Sequence, residues 1–490
     1  MMQTRETTAN LRITALLIVA SVCVGTAAAL ALQSPLGLKA ALPVLVLPPL
    51  LLAVLIAGSR PRRYILSLRW WHALWALLLI SGLTLRVRGV EQIQENPADP
   101  AALFRIGLVC TVAAAVLLKG TIGRGGLHRN LSRGLVAPLT CYALFGVFST
   151  IWSVYPAWTL YRSVEYLVDI ALIATIIGSL RSAEDYKRFF DWTWILFACL
   201  LGSVWLGVLL RPDEAIRHGV GVTGIQIHGV FPVISENGTG DLGAILAAVA
   251  IGRLLFTKEN RKLFLALLLV SLATLVLAYS RTPLTAFFLA VMVMLYAGRR
   301  LTLLTALLAG MGIAGVSPLG QFLWEFFRRG QSMELFFSLS GRVYWWEYLW
   351  DVFRENPIFG LGAYAGGRFV VLDALGAGLS SSVHNTFLEV VIGSGLVGLV
   401  ILLAGLGGTW WHLLRANNLT GRGTLEHYLT IEALGLLTIE TFRAFFTSGP
   451  VIWHPAIRFL LVIGYAEFLR QNLKNKTLFG QTHSLKAGVE

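Results

Sequence analysis

Apolar stretches long enough to cross a bilayer recur along nearly the whole chain, near 13–32, 38–57, 68–85, 101–118, 135–151, 160–180, 190–210, 240–256, 262–279, 283–297, 301–316, 385–408, 427–446 and 451–469. A spanning helix needs about 20 predominantly apolar residues. The pattern therefore predicts an all-α, polytopic integral membrane protein with about 12–14 transmembrane helices, and one membrane domain over 1–490 rather than a row of soluble ones. One polar interruption stands apart, a long loop over 317–383. Within it, Leu319 to Arg329 and Gly341 to Glu355 mix Trp and Phe with charges, which predicts helices lying at the membrane interface as a roof over a lipid-facing cavity. Ordinary amphipathic packing explains any single aromatic there equally well. The last residues, 471–490, read as a flexible cytoplasmic tail.

Composition removes the soluble alternatives: 56% of residues are hydrophobic, 13% are charged and the mean hydropathy is +0.70. The net charge of +14 would suit nucleic acid, but the basic residues are dispersed in short loops between apolar spans, as cytoplasmic loops are. No nucleic-acid partner is expected. Alternate loops are basic: 58–69, 120–133, 181–188, 258–262, 298–300 and the loop with Arg415 and Arg422. That assigns these loops and both termini to the cytoplasm. The loops 86–100, 153–158, 211–240, 280–283, 317–383 and 448–450 then face outward. Arg5 and Arg12 ahead of an Ala-rich apolar stretch imitate a signal peptide, but further spans follow at once, so it is read as an uncleaved first helix. Cys23, Cys110, Cys141 and Cys199 show neither metal-ligand nor disulfide spacing and read as packing residues.

No Walker loop, dinucleotide fingerprint, zinc-ligand pair or nucleophile-elbow serine stands out, and no pair of intramembrane carboxylates suggests a proton relay. Neither a metal nor a cofactor is expected. What remains is a histidine and a set of arginines. His384 follows a serine run and immediately precedes a long apolar stretch, which places a titratable imidazole at the mouth of a membrane helix. Thr386 and Glu389 have capping-box spacing, so Glu389 reads as a cap before it reads as a catalyst. His384 then lies just outside the positive end of a helix dipole, where phosphate groups are favoured. Arg281 interrupts two apolar spans with too few residues for an extramembrane loop, a costly position unless the residue is paired, functional or snorkelling. Its planar fork suits bidentate phosphate binding. Arg342 opens the aromatic segment that leads to Asn356-Pro357-Ile358-Phe359-Gly360-Leu361-Gly362; a cation–π pair with a neighbouring tryptophan is the competing explanation. Arg217, His218, His228, Glu236 and Asn237 share another outward loop without distinguishing spacing.

These residues resemble the O-antigen ligase and polymerase superfamily, polytopic membrane glycosyltransferases that use polyprenyl-diphosphate-linked glycans. The family pattern of His, then Asn, Ser or Gln, nine arbitrary residues, Gly, two residues, then Gly, Thr or Tyr is met by His384, Asn385, Gly395 and Gly398. Trp152-Ser153-Val154-Tyr155-Pro156 with Arg162, Ser280-Arg281, and the run from Arg342 to Gly362 look like further segments of the same family, in the same order. The resemblance covers roughly 152–398. One departure is the 224–240 region, where relatives often carry an arginine before the glycine and this chain has His228 before Gly229. The fourteen spans also exceed the twelve usual for the ligases.

The resemblance implies transfer of a glycan from undecaprenyl diphosphate to an acceptor hydroxyl, lipid A-core in the ligase case, at the periplasmic face of the bacterial inner membrane, with membrane lipids around it. It further implies His384 as catalytic base, Arg281 and Arg342 as diphosphate binders, Arg217 and His228 as lesser candidates, and Asn385, Glu389, Gly395 and Gly398 as structural support. A histidine of near-neutral pKa can take the attacking hydroxyl's proton, and arginines can stabilise the diphosphate leaving group without a metal. One base and no carboxylate pair imply inversion at the anomeric carbon. Polymerase and protein O-glycosylation roles differ from the ligase only in acceptor and remain open. A lipid-linked glycan transporter is the alternative of another class, but the matching halves expected of a carrier are not seen. A non-catalytic scaffold would make His384 replaceable.

Overall fold

Twelve of the fourteen apolar stretches fall, in whole or in part, within residues 68–83, 99–122, 127–257, 260–375, 383–447 and 458–472, which are described by the computed structural model, and each is helical there. The stretches 13–32 and 38–57 lie outside the described residues, as does the tail beyond 472 and Cys23. In chain order the helices are α1 (Trp70–Leu83), α2 (Pro100–Ile122), α3 (Leu127–Ser132), α4 (Val136–Phe148), α5 (Pro156–Ser179), α6 (Ala183–Leu210) and α7 (Pro212–Ala215). There follow α8 (Glu236–Phe256), α9 (Arg261–Leu277), α10 (Arg281–Ala297), α11 (Leu301–Gly315), α12 (Pro318–Arg328), α13 (Met333–Phe337), α14 (Arg342–Glu355), α15 (Gly366–Leu375), α16 (Thr386–Leu419), α17 (Leu425–Ala444) and α18 over 458–472. The protein is an all-α polytopic membrane protein.

Among the described residues four helices are by themselves long and apolar enough to cross a bilayer, and a fifth span results if α11 and α12, bent by 86° at their junction, count as one. α5 and α17 are long enough but carry several charged residues, and α1, α4 and α10 are apolar but shorter; α4 gains a 3-10 turn over Ser149–Ile151 before the chain reverses. The two stretches of the long loop that mix aromatic and charged residues are helical, as α12 and α14. Two small antiparallel pairs, β1 (Ile216–Val220) with β2 (Gly224–Ile227) and β3 (Gly229–Val230) with β4 (Val233–Ile234), fold the 211–240 loop against the end of α6, a detail absent from the all-helical expectation.

The core is built by α8 packing on α9 and α10, α10 on α17, and α4 on α5 and α16. Its apolar surfaces enclose charges. Arg253 of α8 pairs with Glu432 of α17 at 2.8 Å and with Asp191 of α6 at 2.8 Å; Arg443 pairs with Asp241, and Arg458 with Glu440 at 2.7 Å. Near the start of α5, Glu165 takes both Arg105, at 2.7 Å, and Arg162. The helix core therefore does hold carboxylates, each of these answered by an arginine. They escape local inspection because the counter-charge lies on another helix, 60 residues away for Arg105 and Glu165 and 179 for Arg253 and Glu432. Burial forces the pairing, since an isolated charge in such surroundings costs several kcal/mol. Cys110 and Cys141 face outward rather than into packing.

Candidate functional site

α16 is two helical segments joined at Gly395, whose φ of 61° and ψ of −164° lie in a region essentially confined to glycine. A break frees backbone groups that lipid cannot satisfy. Here the turn after α14 satisfies them: Leu396 N–H donates to Pro357 O at 2.9 Å and Val397 N–H to Ile358 O at 3.3 Å, while Leu361 N–H donates to Ile392 O at 2.9 Å. A Cβ on Gly395 would strike the backbone of Ile358, and one on Gly360 would come within 2.6 Å of Gly393 C. Gly398 lies against Ser394 and, at 3.2 Å from its would-be Cβ, the ring of Tyr142. The Trp152-to-Pro156 segment then holds the far side of the turn: Val154 N–H donates to Leu361 O at 3.0 Å, Thr159 Oγ1 to Ala363 O at 2.9 Å, and Ala363 N–H to Ser149 Oγ at 3.0 Å. Three motifs far apart in sequence are thus one backbone lock.

This lock fixes the start of α16. The N-cap is Asn385, whose Oδ1 accepts from Leu388 N–H at 3.0 Å. Thr386, expected to cap, instead donates to Thr447 O at 3.0 Å, because it is already the first helical residue. Glu389 reaches back to accept from Val383 N–H at 3.1 Å, so it does support the helix start, with Asn385 rather than Thr386 as its counterpart. Between these anchors His384 is held in the left-handed region, with φ of 56°. Burial, and next the positive charge of Arg342, lower its pKa to about 4, so its imidazole is neutral at physiological pH and not poised near neutrality as the sequence suggested.

Arg342 opens α14 and donates to Phe446 O at 2.8 Å, not stacking on its own tryptophans. Because Phe446 and Thr447 are adjacent, one strip of backbone after α17 receives both Arg342 and Thr386, and Trp346 Nε1 donates to Val383 O at 3.0 Å. Arg281, the first residue of α10, donates to Phe327 O at 3.1 Å, Gln331 Oε1 at 3.2 Å and Ser340 Oγ at 3.0 Å, and lies 5.6 Å from the Phe336 ring centre. The preceding Ser280 is tied to Asn237 Oδ1 at 2.6 Å.

A third cation went unnoticed in the sequence. Arg329, in the left-handed conformation that ends α12, lies 5.3 Å from the ring centre of Tyr279, and burial lowers its pKa. After burial, the charges of Arg281 and Arg329 are what lower the pKa of Arg342, so the three guanidinium groups form one field. None of the three makes an ion pair with a carboxylate among the described residues, whereas Arg105, Arg162, Arg253, Arg443 and Arg458 in the helix core all do. The signal available in the sequence was the Arg328-Arg329-Gly330 step at the end of an amphipathic helix.

Arg217 and His228 lie on the folded 211–240 loop, whose Val222 N–H donates to Tyr279 Oη at 3.4 Å. Arg217 lies on β1, exposed and paired with Glu236, so its charge is already answered. His228 has its Nδ1 buried without a partner, and burial followed by the charge of Arg217 lowers its pKa. His218 extends from the same hairpin and is exposed.

Residues 265–403 match the family model described as O-antigen ligase. Over that stretch the chain is similar to the O-antigen ligase superfamily. The stretch holds Ser280-Arg281, the three-arginine cluster, the turn after α14 and the His384-to-Gly398 motif, while Arg217, His228 and the Trp152-to-Pro156 segment lie before it. A search of curated proteins finds no match. The match supports glycosyl transfer of the ligase or polymerase type in lipopolysaccharide biosynthesis. Among the described residues no group of His, Cys, Asp and Glu is arranged to hold a metal.

Proposed function

We propose that the protein transfers a glycan from undecaprenyl diphosphate to an acceptor hydroxyl at the periplasmic face of the inner membrane. The observation that carries this reading is the cluster of Arg281, Arg329 and Arg342, three partly buried cations without a carboxylate partner among the described residues, beside a neutral imidazole on His384. Uncompensated cations in low dielectric call for an anion, and a diphosphate carries at least two negative charges. His384 takes the proton of the acceptor hydroxyl as its oxygen bonds to the anomeric carbon. The bond from that carbon to the phosphate oxygen breaks, and its electron pair leaves with the lipid diphosphate, whose growing charge the arginines stabilise. Direct displacement inverts the anomeric configuration; retention in the product would exclude it.

Donor binding also repairs the base. A unit charge some 7 Å away at an effective dielectric near 20 is worth about 2 kcal/mol, one to two pKa units, so the diphosphate offsets the arginine field that weakens His384. Arg217, neutralised by Glu236, is the weaker candidate for contact with the donor. The test is complementation of a deletion strain by His384→Ala at confirmed expression. Loss of mature surface polysaccharide supports the reading; accumulated lipid-linked polymer marks a ligase, single repeat units a polymerase, and normal polysaccharide removes His384 from the mechanism.

A further inference from the structure

A cavity of about 650 Å³ lies between α14 and the start of α16, with Asn385, the chain neighbour of His384, in its lining. One face of α14, from Val343 through Trp346, Glu347, Trp350 and Asp351 to Arg354, lines it on one side, and the N-cap Asn385 with the apolar Phe387, Leu388, Val391 and Leu399 of α16 lines it on the other. We infer that this groove is the subsite for the acceptor's sugar, a hydroxyl-rich pyranose without phosphate. The inference rests on the proposed glycosyl transfer and assigns the second substrate of that same site.

Three properties select this occupant. The groove offers ring faces: Trp350 is 48% exposed, and Trp346 has spent its N–H on Val383 O, leaving its ring as an apolar surface. Amphipathic aromatic rings pack on the C–H faces of a sugar ring while its hydroxyls point elsewhere. Glu347 and Asp351 interleave with those rings, and each carboxylate can accept several hydrogen bonds from hydroxyl groups. Charge disfavours the donor's diphosphate: Glu347, Asp351 and Arg354 sum to one negative charge, with Arg354 and Asp351 paired at 3.0 Å. Position does the rest. Asn385 lines the groove and adjoins His384, so a sugar seated there presents its hydroxyl to the base while the donor approaches from the arginines.

The experiment uses purified full-length protein and two probes, the dephosphorylated oligosaccharides released by mild acid from the producing strain's envelope and inorganic pyrophosphate, with binding followed by tryptophan fluorescence and confirmed calorimetrically. Trp350→Ala and Glu347→Gln are each expected to weaken oligosaccharide binding about tenfold, the scale of one lost contact set, and to leave pyrophosphate binding unchanged. Trp350→Phe, which keeps a ring face, is expected to stay within about twofold of wild type, separating lost recognition from misfolding. Arg329→Ala should show the reverse pattern. Wild-type protein that binds no oligosaccharide, Trp350→Ala that binds it normally, or Trp350→Ala that weakens only a polyprenol probe each overturns the assignment. The functional reading fails separately, if wild-type protein binds both probes yet transfers nothing from a lipid-linked donor in proteoliposomes.

Discussion

The amide of Leu396 donates to the carbonyl of Pro357 at 2.9 Å, so the second half of the broken helix α16 begins on a turn contributed by the loop before it. The glycines of the His-to-Gly motif thereby acquire a mechanical meaning. Gly395 is needed because its backbone conformation excludes a side chain and because Ile358 occupies the space one would fill. Gly395→Ala is expected to cost about 3 kcal/mol or more, with a lowered melting temperature in detergent and loss of transfer together. A normal melting curve would show that the lock can relax.

Arg329 is expected to behave as Arg281 and Arg342 do, despite its unremarkable place in the sequence. Removing one charged hydrogen-bond donor from an anion typically costs about 1.5–3 kcal/mol, so Arg329→Ala should raise the KM for the donor roughly 10- to 100-fold. Steady-state kinetics with a lipid-linked glycan checks this. Arg217→Ala, by contrast, removes a charge already balanced by Glu236 and should change that KM little.

The pH profile follows from His384. With its pKa lowered to about 4 in the free protein, kcat/KM should stay flat through pH 6.5 and fall only as pH drops through about 4, where the imidazole becomes protonated. Arg342→Gln removes one of the two causes of the depression, so the acid limb should move upward while staying below the ordinary value of 6.5, because burial, the larger cause, remains. An unmoved limb would separate the two residues. The same shift enters stability: this histidine's contribution is complete above pH 6.5 and is lost as pH falls from there through about 4.

The buried ion pairs give a contrasting class of variant. Arg253→Met leaves Glu432 and Asp191 without their shared counter-charge and is expected to destabilise by about 3–5 kcal/mol, read as a fall in melting temperature and yield. Activity per folded molecule should be retained, since the pair does not touch the site.

The helices and the motif histidine were legible because both are local signals: apolar runs set span positions, and the spacing from His384 to Gly398 lies within one stretch of chain. The cap was misassigned by one residue, since Thr386 and Asn385 are both competent and only the partner at Thr447 decides between them. The carboxylates of the core and the role of Arg329 were not legible, because each depends on what a different helix brings near. Glu432 looks like an isolated charge until Arg253 is placed beside it, and Arg329 like a surface charge until Tyr279 and the other arginines are placed around it.

The unneutralised arginine cluster also bears on how the cycle ends. In the proposed reaction the donor's diphosphate loses its sugar and gains an ionisable oxygen, so the leaving lipid is more anionic than the molecule that entered. A field built by Arg281, Arg329 and Arg342 therefore holds spent carrier more firmly than fresh substrate. If that reaction holds, departure of the lipid diphosphate is the step expected to limit turnover.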